Sequence, residues 1–430
     1  MTNLEDAPPL TDAELPVPIG AVRGKPTAEM RAFEDALVER VRETVSTEDF
    51  IERARIADRD GALSRENLRL MQELGVTGMP IDTAFGPSGA SLSAAARVME
   101  ELSYRDAATA LAINMHWGGA RGLAQMPSFP RRDEACAAIA RHEATICGGF
   151  SISSEGLDSR KSGVVCREEG DVYLFNGRSG YASMSEAAGY AMLGGVLEGS
   201  DPEDPIYILS VGRMGEPGLL NHHNWNAMGM RATGSSDIEC KDLAVDKNDC
   251  LVGTMRAFQF RRPIDTAYNT FGIAAIWIGL SRAAFDFTID HSKKRYGYMA
   301  SSSLDAVKAS YRADEPWAQS AIGNMDHWLG TGRALMRDII ERLDDYDDDE
   351  LMGRDHVRTL YHLRRMSEEV AMGAMKICGA HGYVKSRTLE RIFRDLIGGV
   401  VMAWKTDDLQ HKLGLGALGR PIMISGPGGT

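Results

Sequence analysis

The chain has 430 residues and a mass of 46.9 kDa, room for two or three domains, and its 43% hydrophobic content is that of an ordinary globular protein. A formal net charge of −13 and a pI near 5.3 argue against the basic footprint that nucleic acid or an anionic membrane attracts. Cys136, Cys147, Cys166, Cys240, Cys250 and Cys378 form no CxxC pair and no Cys/His ligand spacing, so no metal site is expected and a reduced, cytoplasmic setting is.

Residues 1–26 are rich in proline and acidic residues and lack a positive start followed by an apolar core, which predicts a loose arm rather than a signal peptide. Residues 27–145 carry a helical pattern and are expected to form an all-helical first domain. Met30 to Val45 repeats apolar groups at three- and four-residue spacing, Ser64 opens a helix stopped by Gly75, and Ser91 to Leu102 supplies another, after which Asp106 can cap the next. His116 and Trp117 follow an apolar helix. Because imidazole moves protons near neutral pH, His116 is a candidate catalytic residue, with a packed histidine at a helix end as the competing reading.

The grammar changes near Thr145. Val172 and Leu174, then Ile206 and Ile208, alternate with other residues between segments crowded with Gly, Ser and Asp, so residues 146–254 are expected to form a β domain. Three stretches stand out in it: Phe150-Ser151-Ile152-Ser153-Ser154-Glu155-Gly156 with Ser159 beyond, Asn176-Gly177-Arg178-Ser179-Gly180-Tyr181-Ala182-Ser183, and Gly229-Met230-Arg231.

Helical patterns return over residues 255–430, which read as a C-terminal bundle. Thr270 to His291 predicts a buried central helix, and its apolar part, Phe271 to Leu280, is too short to span a bilayer. Ser320 to Leu343 and Val357 to Ile377 predict two more long helices. The acidic run from Asp344 to Glu350 between them lacks the glycine and terminal ligand of a calcium loop and reads as a solvated connection. Arg295-Tyr296-Gly297-Tyr298, Cys378-Gly379-Ala380-His381-Gly382-Tyr383, and Arg394-Asp395 leading to Ala403-Trp404-Lys405-Thr406-Asp407 close the set of motifs.

From about Ala62 to Gly419 these motifs, in this order, resemble the acyl-CoA dehydrogenase family. The resemblance implies a mainly α fold with a central β domain: an N-terminal helical domain, a β-barrel-like middle domain and a C-terminal helical bundle. It implies FAD as cofactor, with Ser153 at the flavin ring edge, Ser159 at the pyrophosphate, Tyr181 packed on the isoalloxazine and Ser183 donating near its N5. Arg295, whose guanidinium suits a pyrophosphate dianion, and the turn at Gly379 and Gly382 would meet the cofactor of a neighbouring subunit, and Thr406 and Asp407 the adenosine ribose. A homodimer or homotetramer with flavin at the subunit interface follows, as does a flavin reductase or electron-transfer partner. Arg231 is expected at a domain interface.

In the family, the residue nine places after the arginine of the Arg-Asp pair is commonly the glutamate that removes the substrate α-proton. Here it is Ala403, and a methyl group accepts no proton. The alternative glutamate position, on the helix before the Arg295 motif, is Asn269. Asn269 and Trp404 are therefore expected in the substrate pocket, without a base. Three readings remain open: an atypical desaturase or monooxygenase acting on a small acyl or β-keto intermediate, free or carrier-bound; an ordinary dehydrogenase with a relocated base such as His116; and a silent acyl- or protein-binding module.

Overall fold

The computed structural model describes residues 24–81, 89–148, 163–202, 204–254, 267–298, 309–346, 349–402, 404–420 and 422. Helix starts in the N-terminal part are set by side chains that accept an otherwise free amide. Thr27 caps Ala28–Val45 (α1), Thr47 caps Glu48–Asp60 (α2), Ser64 caps Arg65–Glu73 (α3), Ser91 caps Leu92–Arg105 (α4), and Asp106 caps Ala107–Gln125 (α5). Each such cap stabilises by about 1 kcal/mol. Asp106 does more than cap: its carboxylate also accepts from the side chain of Asn67 at 2.9 Å, joining α3 to the α4–α5 corner. A sixth helix, Pro130–Ala140 (α6), starts on proline, which lacks the amide that would need a partner.

Eight strands follow: Ile146–Cys147 (β1), Val164–Glu169 (β2), Val172–Ala182 (β3), Tyr190–Leu197 (β4), Ile206–Arg213 (β5), Leu219–Asn221 (β6), Ser236–Asp246 (β7) and Leu251–Thr254 (β8). They form one sheet in the order β6-β7-β3-β2-β4-β5-β8, with β1 added to β4. β1 and β2 run parallel to β4, and the other pairs are antiparallel. On β3 the buried side chains are Tyr173 and Phe175, so the inward face is the one opposite Val172 and Leu174.

The C-terminal part is built on Ala267–Lys294 (α7), flanked by Pro316–Arg342 (α8) and Asp349–Cys378 (α9), with Ala380–Tyr383 (α10), Thr388–Val401 (α11) and Thr406–Ala417 (α12) behind them. A small hairpin pairs Tyr296–Tyr298 (β9) with Ala309–Tyr311 (β10). α7 is longer than its apolar stretch alone indicates, and by length and composition its 28 residues could cross a bilayer. Its most apolar window is 72% buried inside the protein, which makes it the core helix. The start of the acidic run binds the chain entry: Asp344 accepts from the backbone amide of Gly24 at 2.9 Å.

α7 packs on α4 through Gly279. A Cβ there would fall inside the van der Waals surface of Ser103 Oγ and the Glu100 carbonyl, both on α4. Gly279→Ala is therefore expected to lower stability by about 2–3 kcal/mol. Gly323→Ala on α8, where a Cβ meets nothing within 4 Å, is neutral or stabilising. Denaturant unfolding of the two variants side by side checks this, and equal effects would refute the close approach.

Candidate functional site

The β3–β4 connection and the stretch leading into β7 meet through hydroxyl groups. Ser183 Oγ lies 2.8 Å from Ser235 Oγ, which lies 2.7 Å from Thr233 Oγ1, and Thr233 donates to the carbonyl of Met230 at 3.0 Å. With the Thr233 hydrogen spent on a carbonyl, Ser235 donates to Thr233 and Ser183 to Ser235. Ser183 Oγ then offers a lone pair outward, and acting as a donor to a ligand requires the chain to reverse. Tyr181, two residues earlier, is 55% exposed and meets Trp225 edge-on, with ring centroids 6.3 Å apart. Tyr181, Met184 and Met230 all have φ between +51° and +74°, left-handed backbone that costs a non-glycine residue about 1–2 kcal/mol.

This loop is fixed from the helical side by Arg394 and Asp395 of α11. Asp395 Oδ1 accepts from the amide of Met230 at 2.6 Å. Arg394 grips Asp58 of α2 with both terminal nitrogens, at 3.0 and 2.7 Å, and donates to the Met228 carbonyl. Arg231 closes the junction through the carbonyls of Asp58 and Ala227. Asp395 is buried, and desolvation pushes its carboxyl up to about 7 although the Met230 amide, Arg391 and Arg394 favour its charge.

At the start of α7, Asn269 is 7% exposed and forms a reciprocal pair with Asn114 of α5. Asn114 donates to the backbone of Asn269 at 3.1 Å, and Asn269 Nδ2 donates to the Asn114 carbonyl at 3.4 Å. Among the described residues the side-chain oxygens of both have no partner. His116 lies two residues further along α5 and is fully buried. Its Nδ1 accepts from the amide of Ile146 and its Nε2 donates to the Thr77 carbonyl, each at 3.0 Å. Burial holds its pKa down at about 4. Both nitrogens of a neutral ring are thus committed to backbone groups, the geometry of a packed core histidine.

The opposite end of α7 carries a basic cleft of about 240 Å³, lined by Phe287, Asp290, His291, Lys294, Arg295, His381 and Arg387. It brings Arg295 together with His381 of the turn from Gly379 to Gly382. Gly379 has φ of +56° and open space around its α-carbon, so glycine here serves the turn. Burial, then the neighbouring His381 and the arginines 295, 312 and 387, hold His291 below the ordinary histidine range. This donor set suits a phosphate or pyrophosphate, which would supply the missing negative charge. Twenty-six residues of helix geometry separate Asn269 from Arg295, a span of roughly 39 Å.

Thr406 and Asp407 stand apart from that cleft. The Thr406 hydroxyl donates to Glu368 of α9 at 2.7 Å, and Asp407 is exposed in the first turn of α12. Trp404 is 5% exposed, has φ of +60°, and its indole nitrogen has no partner. Ser153, Ser159 and Ala403 lie outside the described residues. Residues the sequence reading did not single out include Ser235, Thr233 and Trp225 beside Ser183 and Tyr181, and Arg387 and His291 in the cleft. The Thr-Gly-Ser run after Arg231 was the available signal for the first two. Nothing local in the sequence marks Trp225 or Arg387.

Family models match two stretches: the acyl-CoA dehydrogenase N-terminal domain over residues 32–143 and the acyl-CoA dehydrogenase C-terminal domain over residues 271–399. A putative acyl-CoA dehydrogenase of Bacillus subtilis is 25% identical over 377 residues, covering 85% of this chain and 93% of that protein. An amino sugar nitrososynthase of Streptomyces peucetius is 26% identical over 380 residues, covering 84% and 88%. Among solved structures, a glutaryl-coenzyme A dehydrogenase bound to glutaryl-CoA superposes with a TM-score of 0.76 at 20% identity, over 92% of this chain and 96% of that one.

The buried Asp395 gives a pH signature. In the folded protein it stays protonated up to about pH 7, whereas in the unfolded chain it ionises near its ordinary 3.8. The folded state therefore binds the extra proton, and stability falls as pH rises from about 4 to 7, by on the order of 3 kcal/mol. Asp395→Asn keeps an acceptor for Met230 and removes the ionisation. Unfolding measured across that window should show a flatter profile in the variant, and identical slopes would contradict the burial argument.

Proposed function

This chain belongs to the acyl-CoA dehydrogenase family of flavin oxidoreductases, and we propose that it uses FAD in a reaction that does not begin with α-proton removal by a glutamate. The reaction is monooxygenation or decarboxylative desaturation of a small acyl or β-keto intermediate. The observation that carries this reading is the separation on α7: a phosphate-suited cleft survives at Arg295 while the substrate end presents the amide of Asn269 in place of a carboxylate. The similarity to an amino sugar nitrososynthase supports it, since that relative's name describes nitrogen oxidation rather than thioester dehydrogenation.

In this reading Tyr181 and Ser183 receive the flavin ring, Ser153 and Ser159 hold its polar edge and pyrophosphate, and Thr406 and Asp407 meet the ribose. A cofactor seated at Ser183 and Asn269 cannot also reach Arg295 of the same chain across roughly 39 Å. Arg295, Arg387 and the Gly379–Gly382 turn then serve a second copy, which makes the enzyme a homo-oligomer with shared cofactor sites. The pyrophosphate-sized demand of that cleft favours FAD over FMN. When bound, the flavin supplies a hydride acceptor or, once reduced by a partner, activation of dioxygen. The chain's own part is to orient substrate at the Asn269 end of α7 and to exclude water, while Asn114, whose Oδ1 lies against Gly272, holds α5 and α7 together behind it. We also take residues 27–145, 146–254 and 255–430 as the three domains.

The visible spectrum of the purified protein, with mass analysis of the extracted cofactor, should show one FAD per chain. Under anaerobic conditions 2-methylacetoacetate, which loses carbon dioxide to leave an enolate and still carries a hydrogen β to its ketone for transfer to the flavin, should reduce it on the decarboxylative branch, and butyryl-CoA should not. Rapid crotonyl-CoA formation from butyryl-CoA would sink the reading, and a protein purified without flavin would favour a silent binding module instead. Because both ring nitrogens of His116 are bonded to backbone groups, His116→Gln should leave turnover within about threefold while lowering stability by about 1–3 kcal/mol. A loss of turnover at unchanged stability would restore His116 as the base.

A further inference from the structure

Among the described residues, Arg364 on α9 is a fully buried guanidinium without a carboxylate partner. Within that set its Nη1 reaches only Ser367 Oγ at 3.5 Å, and its Nε and Nη2 have no hydrogen-bond partner. Elsewhere in this protein that same Nε/Nη2 edge grips carboxylates: Arg141 holds Glu143 and Arg394 holds Glu390 in this way. The nearest acid, Glu368, is engaged by Arg365 at 2.8 Å and by Thr406 at 2.7 Å. Burial draws the arginine down to about 10, with Glu368 opposing.

What holds the cation in place accounts for one side of it only. The guanidinium sits 4.9 Å over the Trp277 ring and occupies the space left by the absent side chain of Gly399, in the last turn of α11. A ring face and a helix C-terminus both favour a cation. Neither supplies the pair of coplanar oxygens that the Nε/Nη2 edge is shaped for. A second orphan donor lies in the same stretch. Gly399 touches Arg364, Thr406 is tied to Glu368 one turn further along α9, and Trp404, with its unpartnered buried indole N–H, falls between those two anchors.

We infer that Arg364, assisted by the indole N–H of Trp404, is the recognition site for a carboxylate carried by the substrate. The two in-plane donors of Arg364 suit the two oxygens of one monoanion, the indole N–H of the neighbouring segment offers a third donor, and a single buried cation is balanced by a single negative charge. The inference rests on the reading of this chain as an oxidoreductase of small molecules and narrows it: the substrate is a free acid on at least one end, so a thioester at its only acyl group does not meet the requirement. The acid is bound, not consumed, at this site, so on the decarboxylative branch it is a carboxylate other than the one lost as carbon dioxide.

The test uses the purified holoprotein with levulinate and its methyl ester as probes, and sodium chloride as an inorganic anion. Calorimetric titration and thermal unfolding should show binding and stabilisation by the acid, with the ester weaker by about tenfold or more. Arg364→Met should abolish the preference for acid over ester. Trp404→Phe, which keeps the ring and removes the N–H, should weaken acid binding by about threefold to tenfold. No preference for acid over ester in the wild type overturns the inference, as does an unchanged preference in Arg364→Met, or chloride reproducing the whole effect of the acid. If Arg364→Met does not fold, the acid-to-ester ratio of the wild type and the effect of Trp404→Phe still decide. A protein with bound flavin and no acid preference defeats this inference alone. A protein without flavin defeats the oxidoreductase reading, while the titration is read independently.

Discussion

The contact between Asp395 and the Met230 amide is the constraint on which the arrangement of the site depends. It joins α11 to a loop of the sheet, and it is buried, so neither side can relax into water without loss. Because Gly229 lies against the Arg394 carbonyl, a side chain there would force the two apart. Arg394 then extends the same junction to Asp58 and hence to α2. Two stretches far apart in sequence are fixed by adjacent residues of one helix. The left-handed backbone at Met230 is held by this clamp, and the Met230 carbonyl in turn sets the polarity of the hydroxyl chain through Thr233 and Ser235 to Ser183.

From that junction the consequences run along α7. Its start is pressed between α4 and α5 by close backbone approach at Gly279 and by the two asparagines, which gives a rigid wall with few degrees of freedom. Its end emerges among Lys294, Arg295, Arg387 and two histidines, where charge rather than packing dominates. A single stiff element thus separates an apolar, amide-lined end from a cationic end by more than one cofactor's length. On the proposed reading this distance is what couples function to assembly, since the two ends act on different cofactors.

Much of this was legible in the sequence because it is local. Thr27, Ser64, Ser91 and Asp106 cap helices by hydrogen bonds within three residues, so a short window contains both partners. The order of helices, strands and helices follows from periodicity in the same way. The motifs at Arg295 and Gly379 were readable as motifs, yet their meeting in one cleft depends on α7 and α9 ending side by side, and no local pattern encodes that. Which face of β3 points inward is not legible from its sequence, because all four residues from Val172 to Phe175 are apolar and burial is decided by the partner layer. His116 could be read as base or as core until the amide of Ile146 and the carbonyl of Thr77 were found on its two nitrogens.

Arg364 was illegible for the same reason: an arginine in Arg-Arg-Met-Ser-Glu-Glu looks like the solvated face of a helix, and only tertiary packing turns it inward. Its position bears on the residue with which the sequence departs most from its family. A glutamate in the segment between Gly399 and Thr406 would be drawn to an unpaired guanidinium beside that segment, and a neighbouring cation lowers the basicity of a carboxylate. Such a glutamate would be a poorer proton acceptor for a substrate. Arg364 and a glutamate base are therefore antagonistic features, whereas Arg364 and Ala403 are compatible ones. On the proposed reading, the alanine at position 403, the amide at Asn269 and the buried cation at Arg364 describe one change, from a site whose protein charge is negative and acts as a base to one whose protein charge is positive and receives an anion.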